Sequence, residues 1–109
     1  MSAVADILDR AADLIEPEGA WTQGVLGRDA KGRILMARNL DRAVCFCAQG
    51  AIIRASKDAE VLAYQASQVV RKVIHQEGIG WWNDRRARTQ QQVVATLRHA
   101  AALARGEQP

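Results

Sequence analysis

The sequence lacks any long apolar run. No stretch of its 109 residues approaches the roughly 18 consecutive apolar residues that a membrane-spanning helix needs. The N-terminal residues Met1–Asp6 also lack the basic start and the apolar core of a signal peptide. We therefore expect a cytoplasmic protein that does not bind membranes. No repeat, low-complexity segment or interior linker divides the chain, so we predict a single domain over residues 1–109.

Cysteine is scarce, and the usual metal and cofactor motifs are missing. The only two cysteines, Cys45 and Cys47, are too close in sequence for an unstrained bridge, so we expect free thiols. A Cys-x-Cys pair without a second Cys or His pair at ligand spacing cannot complete a tetrahedral zinc site within one chain. The sequence contains no glycine-rich phosphate loop and no Ser/His/Asp nucleophile motif. We predict no metal and no cofactor.

The two ends of the chain have the clearest helical patterns. Ser2 is suited to cap a first helix, and Pro17 ends it because proline cannot donate the helical hydrogen bond. Thr89–Gln92 matches a capping box that opens a last helix, and Gly106 closes it. Both helices have one continuous apolar face.

A small hairpin is predicted between residues 25 and 36. Two short apolar segments flank Asp29–Gly32, and an aspartate that opens a turn with a glycine that closes it is typical of a type I turn with a bulge. A lone two-stranded hairpin is marginal in water, so it must pack on the helices.

The stretch Ala43–Ile53 is the most apolar in the sequence and contains both cysteines. Its apolar residues recur at helical spacing, which predicts a central helix that starts after the caps at Asn39 and Asp41 and runs to about Ser56. The residues on this stripe are Val44, Cys47, Ala48, Ala51, Ile52 and Ala55. Gly50 is expected to allow close backbone packing rather than to act as a hinge.

A third helix is predicted from a cap at Asp58 to a stop at Gly78 and Gly80, followed by a loop at Ile79–Asp84. The fold class that we predict is mainly α, a compact bundle of about four helices with one small β-hairpin (α+β), with the Cys45–Ile53 helix at its centre.

Charge is distributed unevenly along the chain. The net charge is +3, but residues 1–60 carry 8 basic and 9 acidic side chains, whereas residues 61–109 carry 7 basic and 3 acidic ones. Part of the surplus is the cluster Arg85, Arg86 and Arg88, which follows Trp81 and Trp82. Such a cluster suits phosphates or an acidic protein surface, so nucleic-acid binding through the second half is one alternative. The simpler interpretation is a solvated loop.

The candidate catalytic residues are Cys45, Cys47 and Asp84. A nucleophilic cysteine needs a lowered pKa and some exposure, which favours Cys45, near the start of its predicted helix and off the apolar stripe. Cys47 resembles a core residue, and the available bases, His75 and His99, are distant in sequence. Asn83 and Asp84 can orient a ligand, although both residue types more often close turns through the backbone.

The chain resembles an uncharacterised family of small proteins from bacteria, especially actinobacteria, and their phages, a domain of unknown function. The resemblance is carried by Trp21–Gly24, Arg28–Asp29 with Gly32–Arg33, Cys47–Ala51, Trp82–Asp84, Arg88–Thr89 and Val93–Val94. It implies a small, mostly helical protein in which Trp21, Gln23, Cys47, Asn83 and Asp84 meet in space. It also favours Cys47 over Cys45 as a shared functional residue, which reverses the order that exposure suggests.

We expect a small protein-interaction module, an accessory or inhibitory factor of a phage or mobile element, more than an enzyme. Tryptophan and arginine dominate the energetics of many interfaces. The predicted binding residues are Trp21, Gln23, Trp81, Trp82, Asn83, Asp84, Arg85, Arg86 and Arg88. A thiol-dependent enzyme that uses Cys47 or Cys45 is the alternative from another class, and a homodimer is compatible with the aromatic loop.

Overall fold

The computed structural model describes residues 2–106. The α-helices of this part of the chain are α1 (Ala3–Ile15), α2 (Ala48–Ser56), α3 (Glu60–Val73), α4 (Ile79–Asn83) and α5 (Gln90–Ala104). A 3₁₀-helix spans Ala37–Arg42, and three short strands are β1 (Gly27–Arg28), β2 (Ile34–Leu35) and β3 (Cys45–Phe46). The mainly α fold with a small β element is confirmed.

Helix α1 forms as the sequence predicts. The Ser2 hydroxyl accepts a hydrogen bond from the Ala5 N–H at 3.0 Å, and the helix ends before Pro17. Its apolar face is buried, and the residues on that face are Ala5, Ile7, Leu8, Ala11, Ala12 and Ile15. The helix therefore supplies one wall of the core.

Helix α5 packs along α1 and neutralises its acidic side. The capping box at Thr89 and Gln92 is present. Arg98 pairs with three carboxylates, those of Asp9, Asp13 and Glu16, and Arg105 pairs with those of Asp6 and Asp9. The acidic face of α1 thus takes up part of the positive surplus of the second half.

The predicted hairpin is confirmed, and it gains a third strand. The Gly32 N–H donates to the Asp29 carbonyl at 2.9 Å, and Gly32 has a positive φ of 79°, as a bulged type I turn requires. β1 lies between β2 and β3, and both pairings are antiparallel. The same strand β3 also forms a parallel bridge with the chain at Trp21.

The prediction of a helix through Cys45 is wrong. Cys45 and Phe46 are strand, and Cys47 is the N-cap of a shorter helix, α2. The backbone of this segment forms hydrogen bonds with earlier parts of the chain: the Val44 N–H donates to the Arg28 carbonyl at 2.8 Å, and the Phe46 N–H donates to the Ala20 carbonyl at 2.9 Å. These long-range pairings override the helical spacing of the apolar residues.

The predicted role of Gly50 is confirmed. A Cβ atom at this position would lie 1.9 Å from the Leu26 carbonyl oxygen, which leaves no room for a side chain. The same carbonyl accepts a hydrogen bond from the Cys47 N–H at 3.1 Å. The first turn of α2 is therefore pressed directly against the backbone that leads into β1.

The borders of α3 and the predicted loop after it differ from the sequence interpretation. Asp58 is not the cap of α3, since the N-cap is Ala59 and it has no side-chain hydrogen bond. The helix ends at Val73, before the glycines, and the chain then turns through positive φ angles at His75 and Gln76. The predicted loop at Ile79–Asp84 is mostly the short helix α4, because burial of Ile79, Trp82 and Asn83 stabilises one turn.

Candidate functional site

Helix α4 turns the two adjacent tryptophans in opposite directions. Trp81 is 81% exposed, whereas Trp82 is 8% exposed and belongs to the core cluster. Arg88 lies over the Trp82 ring at 4.1 Å from the ring centroid, and its Nε donates to the Trp82 carbonyl at 3.0 Å. Trp82 and Arg88 are therefore occupied within the protein, and Trp81 is available at the surface.

Asn83 is the centre of a buried hydrogen-bond cluster. Its Oδ1 accepts from Trp21 Nε1 at 2.8 Å and from the Ala48 N–H at 3.0 Å. Its Nδ2 donates to the Thr22 carbonyl at 3.2 Å and to Asp84 Oδ1 at 2.9 Å. The residue is fully buried, and these bonds use the whole donor and acceptor capacity of its amide.

Gln23 and Asp84 form further hydrogen bonds, which join the Trp21–Gly24 segment to the chain at Asn83–Arg85. Gln23 Nε2 donates to the carbonyls of Asn83 and Arg85, at 3.0 Å and 2.9 Å. Asp84 Oδ1 accepts from the Gly24 N–H at 2.9 Å. The structure thus brings together Trp21, Gln23, Asn83 and Asp84, residues that are about sixty positions apart in the sequence.

Cys47 adjoins this cluster as the N-cap of α2. Its Sγ accepts a hydrogen bond from the Gly50 N–H at 3.3 Å, and the residue is 5% exposed. Burial raises the pKa of the Cys47 thiol and the negative charge of Asp84 raises it further, although N–H donors such as that of Gly50 act in the opposite direction. A buried, protonated thiol is a poor nucleophile.

The other candidate groups for thiol chemistry lie elsewhere. Cys45 is half-buried on β3, and His75 and His99 are exposed. Both cysteines are free thiols. Among residues 2–106, no group of three or more His, Cys, Asp and Glu side chains is arranged to hold a metal ion. The described helices include none that is both long and apolar enough to cross a membrane.

The surface beside Trp81 is concave and polar at its edge. A cavity of about 530 Å³ is lined by Glu77, Gly80, Trp81, Asp84 and Arg85. Arg85 forms an ion pair with Glu77, and Arg86, the next residue, is exposed. Of the nine predicted binding residues, Trp81, Arg85 and Arg86 are the ones that present side chains to solvent without serving the Asn83 cluster.

A second concave region contains charged residues that the sequence interpretation did not single out. Its four basic side chains are those of Arg10, Arg38, Arg54 and Lys57. They come from α1, the 3₁₀-helix and the end of α2, and no local motif connects them. Only the pairing of these elements in space could have revealed the region, which we call the basic groove.

The fold and the cluster define a small α+β protein in which a buried asparagine ties α4, α2 and the chain at Trp21 together. The chain belongs to a family of unknown function, DUF6197, whose model matches residues 1–103. Membership of a family of unknown function, which the sequence motifs suggested, is thereby confirmed. Comparison with curated proteins and with solved structures finds no match.

Proposed function

We propose that this protein is an interaction module that binds a protein partner through Trp81, Arg85 and Arg86, a surface that we call the Trp81 patch. The observation that carries the proposal is the exposure of Trp81, the highest among the exposed large apolar residues of the described chain at 81%. A tryptophan ring that lies in solvent gains free energy when a partner covers it.

The Trp81 patch is presented from a rigid base. Helix α4 is fixed on one side by the buried core contact of Trp82 and on the other by the four hydrogen bonds of Asn83. A ring that is held by an ordered backbone loses little conformational entropy when it is bound. This geometry favours a preformed contact surface.

The chemistry of the surrounding residues indicates what the partner presents. The exposed Arg86 has no ion pair among residues 2–106, whereas the charge of Arg85 is partly satisfied by Glu77. Interfaces commonly combine an apolar centre with a polar rim. The partner that fits places an apolar side chain against Trp81 and an acidic group at Arg86.

The test is affinity capture from a nuclease-treated lysate of the source organism with the wild type and three variants. The expected result is one protein near one-to-one stoichiometry that is lost with Trp81→Ala, reduced with Arg86→Ala and kept with Tyr64→Ala. Tyr64 is the matched control because it is an aromatic residue, 65% exposed, on α3. Equal capture by the wild type and Trp81→Ala would contradict the proposal.

A second copy of the chain is the competing occupant of the Trp81 patch. Light scattering after size-exclusion chromatography distinguishes a homodimer from a monomer that binds another protein. A dimer that becomes a monomer in Trp81→Ala would replace the proposed partner with a homodimer, and a monomer at all concentrations would remove the homodimer.

The other functions that the sequence suggested have less support. A thiol-dependent enzyme would need Cys47 or Cys45 as its nucleophile. Cys47 is buried and its pKa is raised, which disfavours the thiolate, and Cys45 is half-buried. Nucleic-acid binding through the second half has fewer free cations than the sequence suggests, because Arg98 and Arg105 pair with α1 and Arg85 pairs with Glu77. The role for a phage or mobile element and the cytoplasmic location stay predictions.

A further inference from the structure

The basic groove consists of two adjoining concave surfaces that share residues. One has a volume of about 440 Å³ and contains Arg38, Arg54 and Lys57 in its lining, and the other has a volume of about 250 Å³ and contains Arg10, Arg54 and Lys57. Because Arg54 and Lys57 line both surfaces, the four cations lie on adjoining surfaces around the end of α2. The larger volume is in the range of small-molecule sites.

Within residues 2–106 the cations of the groove form no ion pairs, in contrast to Arg33, Arg85, Arg98 and Arg105. Among the described residues, none of the four forms an ion pair, and Arg10 donates only a long hydrogen bond of 3.5 Å to the Ala55 carbonyl. The arginines of α5, by contrast, are held by carboxylates of α1. Their positive charge is compensated by direct ion pairs, whereas the four cations of the groove form none within residues 2–106.

The partial negative charge at the C-terminus of α2 does not balance the positive charge of the groove. The C-terminus of a helix carries about half a negative charge, which one nearby cation can balance. Arg10, through its hydrogen bond to the Ala55 carbonyl, already serves that end. Three further cations remain at the groove, and an anion that binds there lowers their mutual repulsion.

The backbone at the middle of the groove is held in an unusual conformation. Lys57 has a φ of 50° and Asp58 a φ of 71°, so two consecutive residues other than glycine are in the left-handed region. Glycine is the usual residue where a helix ends in this way. A lysine at such a position carries the steric cost of its Cβ atom, as do His75 and Gln76 at the turn after α3.

Three carboxylates also line the groove and reduce its charge. Asp13 is already paired with Arg98, so it adds little negative potential. Asp41 and Asp58 remain without an ion pair within residues 2–106. Four cations and these two anions leave a surplus of two positive charges. Removal of one of the carboxylates should therefore strengthen the binding of an anion.

We propose that the basic groove binds phosphate groups, either those of a free nucleotide or those of a nucleic-acid strand. No aromatic side chain lines it, so bases have no stacking surface and recognition rests on charge. Binding is therefore independent of base sequence and strongly dependent on salt. This site is separate from the Trp81 patch and does not depend on the proposed protein partner.

The test is fluorescence anisotropy with a fluorescein-labelled single-stranded 20-mer of DNA between 20 and 200 mM NaCl. Arg54→Gln and Lys57→Gln are each expected to weaken binding by about fivefold or more at low salt and to reduce the slope of log affinity against log salt by about one. Asp58→Asn is expected to tighten binding by about threefold, because it removes a repelling charge and asparagine tolerates a left-handed backbone.

Lys72→Gln is the matched control, since it removes an exposed cation on α3, outside both the groove and the Trp81 patch, and is expected to leave affinity unchanged. A second titration with a fluorescent adenosine triphosphate analogue distinguishes the sources: affinity equal to that of the 20-mer assigns the site to a free nucleotide, and much weaker affinity assigns it to a strand. Binding of neither probe at 20 mM NaCl would overturn the proposal. So would equal affinity of the wild type, Arg54→Gln and Lys57→Gln, with circular dichroism used to confirm that each variant is folded.

Discussion

The two ends of helix α2 are built in opposite ways. At its N-terminal end, the Ala48 N–H is bound by Asn83 and the Gly50 N–H by Cys47, so the polar groups that begin a helix are satisfied inside the protein. Gly50 also lies against the backbone at Leu26 with no space for a side chain. This end is buried and closed by its own contacts.

The C-terminal end of the same helix is open to solvent at Arg54, Lys57 and Asp58, although its last carbonyls are also bonded. The chain leaves Ser56 through the left-handed residues Lys57 and Asp58, and the cations around it have no ion pair in the described part of the chain. The comparison separates two uses of polar residues. At one end, hydrogen bonds fix the fold, and at the other, exposed cations surround the helix end at the place where we propose that phosphate binds.

The largest effect is expected for Asn83→Asp at the closed end. The change places a carboxylate oxygen against the Thr22 carbonyl and Asp84 Oδ1, which now accept from Nδ2, and it buries an uncompensated charge. We expect a loss of about 4 kcal/mol in the free energy of unfolding, measured by urea denaturation.

Asn39→Asp is the matched control, because Asn39 is half-buried in the 3₁₀-helix and outside the cluster. Its effect is expected to stay within about 0.5 kcal/mol. If the two variants were equally stable, the Asn83 cluster would not be the structural centre that its hydrogen bonds indicate.

A second large effect is expected for Gly50→Ala. The new Cβ would be 1.9 Å from the Leu26 carbonyl oxygen, so the first turn of α2 must move away from β1. We expect a loss of about 3 kcal/mol, again by denaturation. Gly80→Ala is the control: nothing lies within 4 Å of its Cβ and it is inside α4, so stability should be unchanged or raised.

The sequence predicts only some of the elements that pack around the closed end of α2. The helices α1 and α5 and the hairpin turn follow from local signals, namely Ser2, Thr89 with Gln92, and Asp29 with Gly32. The strand at Cys45 does not, because its pairing with β1 depends on residues far along the chain, and its apolar residues fit a helix equally well.

The two tryptophans illustrate the same limit at the candidate site. Neither composition nor spacing distinguishes Trp81 from Trp82, and only the packing of α4 makes one buried and one exposed. The meeting of Trp21 with Asn83 was implied by a family resemblance rather than by a periodic pattern, and the hydrogen bond between them confirms it. The basic groove had no local signal, because its residues come from separate elements.

A smaller effect of opposite sign is expected for Lys57→Gly at the open end. Glycine adopts the left-handed conformation without the penalty that a Cβ atom imposes, so the variant should be more stable by about 1 kcal/mol. Lys57→Ala keeps the penalty and removes the charge, and it should not gain this stability. If Lys57 contributes to phosphate binding, we expect Lys57→Gly to be more stable than the wild type and to bind the 20-mer more weakly. A loss of stability would show that Lys57 is structural, as at the closed end.

The smallest effect is expected in the pH dependence of the closed end. Burial raises the pKa of the Cys47 thiol in the folded state, whereas the unfolded thiol ionises near its ordinary pKa of about 8.5. The stability from the neutral thiol is complete below the unfolded pKa and is lost as the pH rises through the folded pKa. The wild type should therefore lose more stability between pH 7 and pH 10 than Cys47→Ser, in which the hydroxyl keeps the cap and does not ionise. Equal loss of stability in the wild type and in Cys47→Ser would show that the buried Cys47 thiol contributes nothing to the pH dependence.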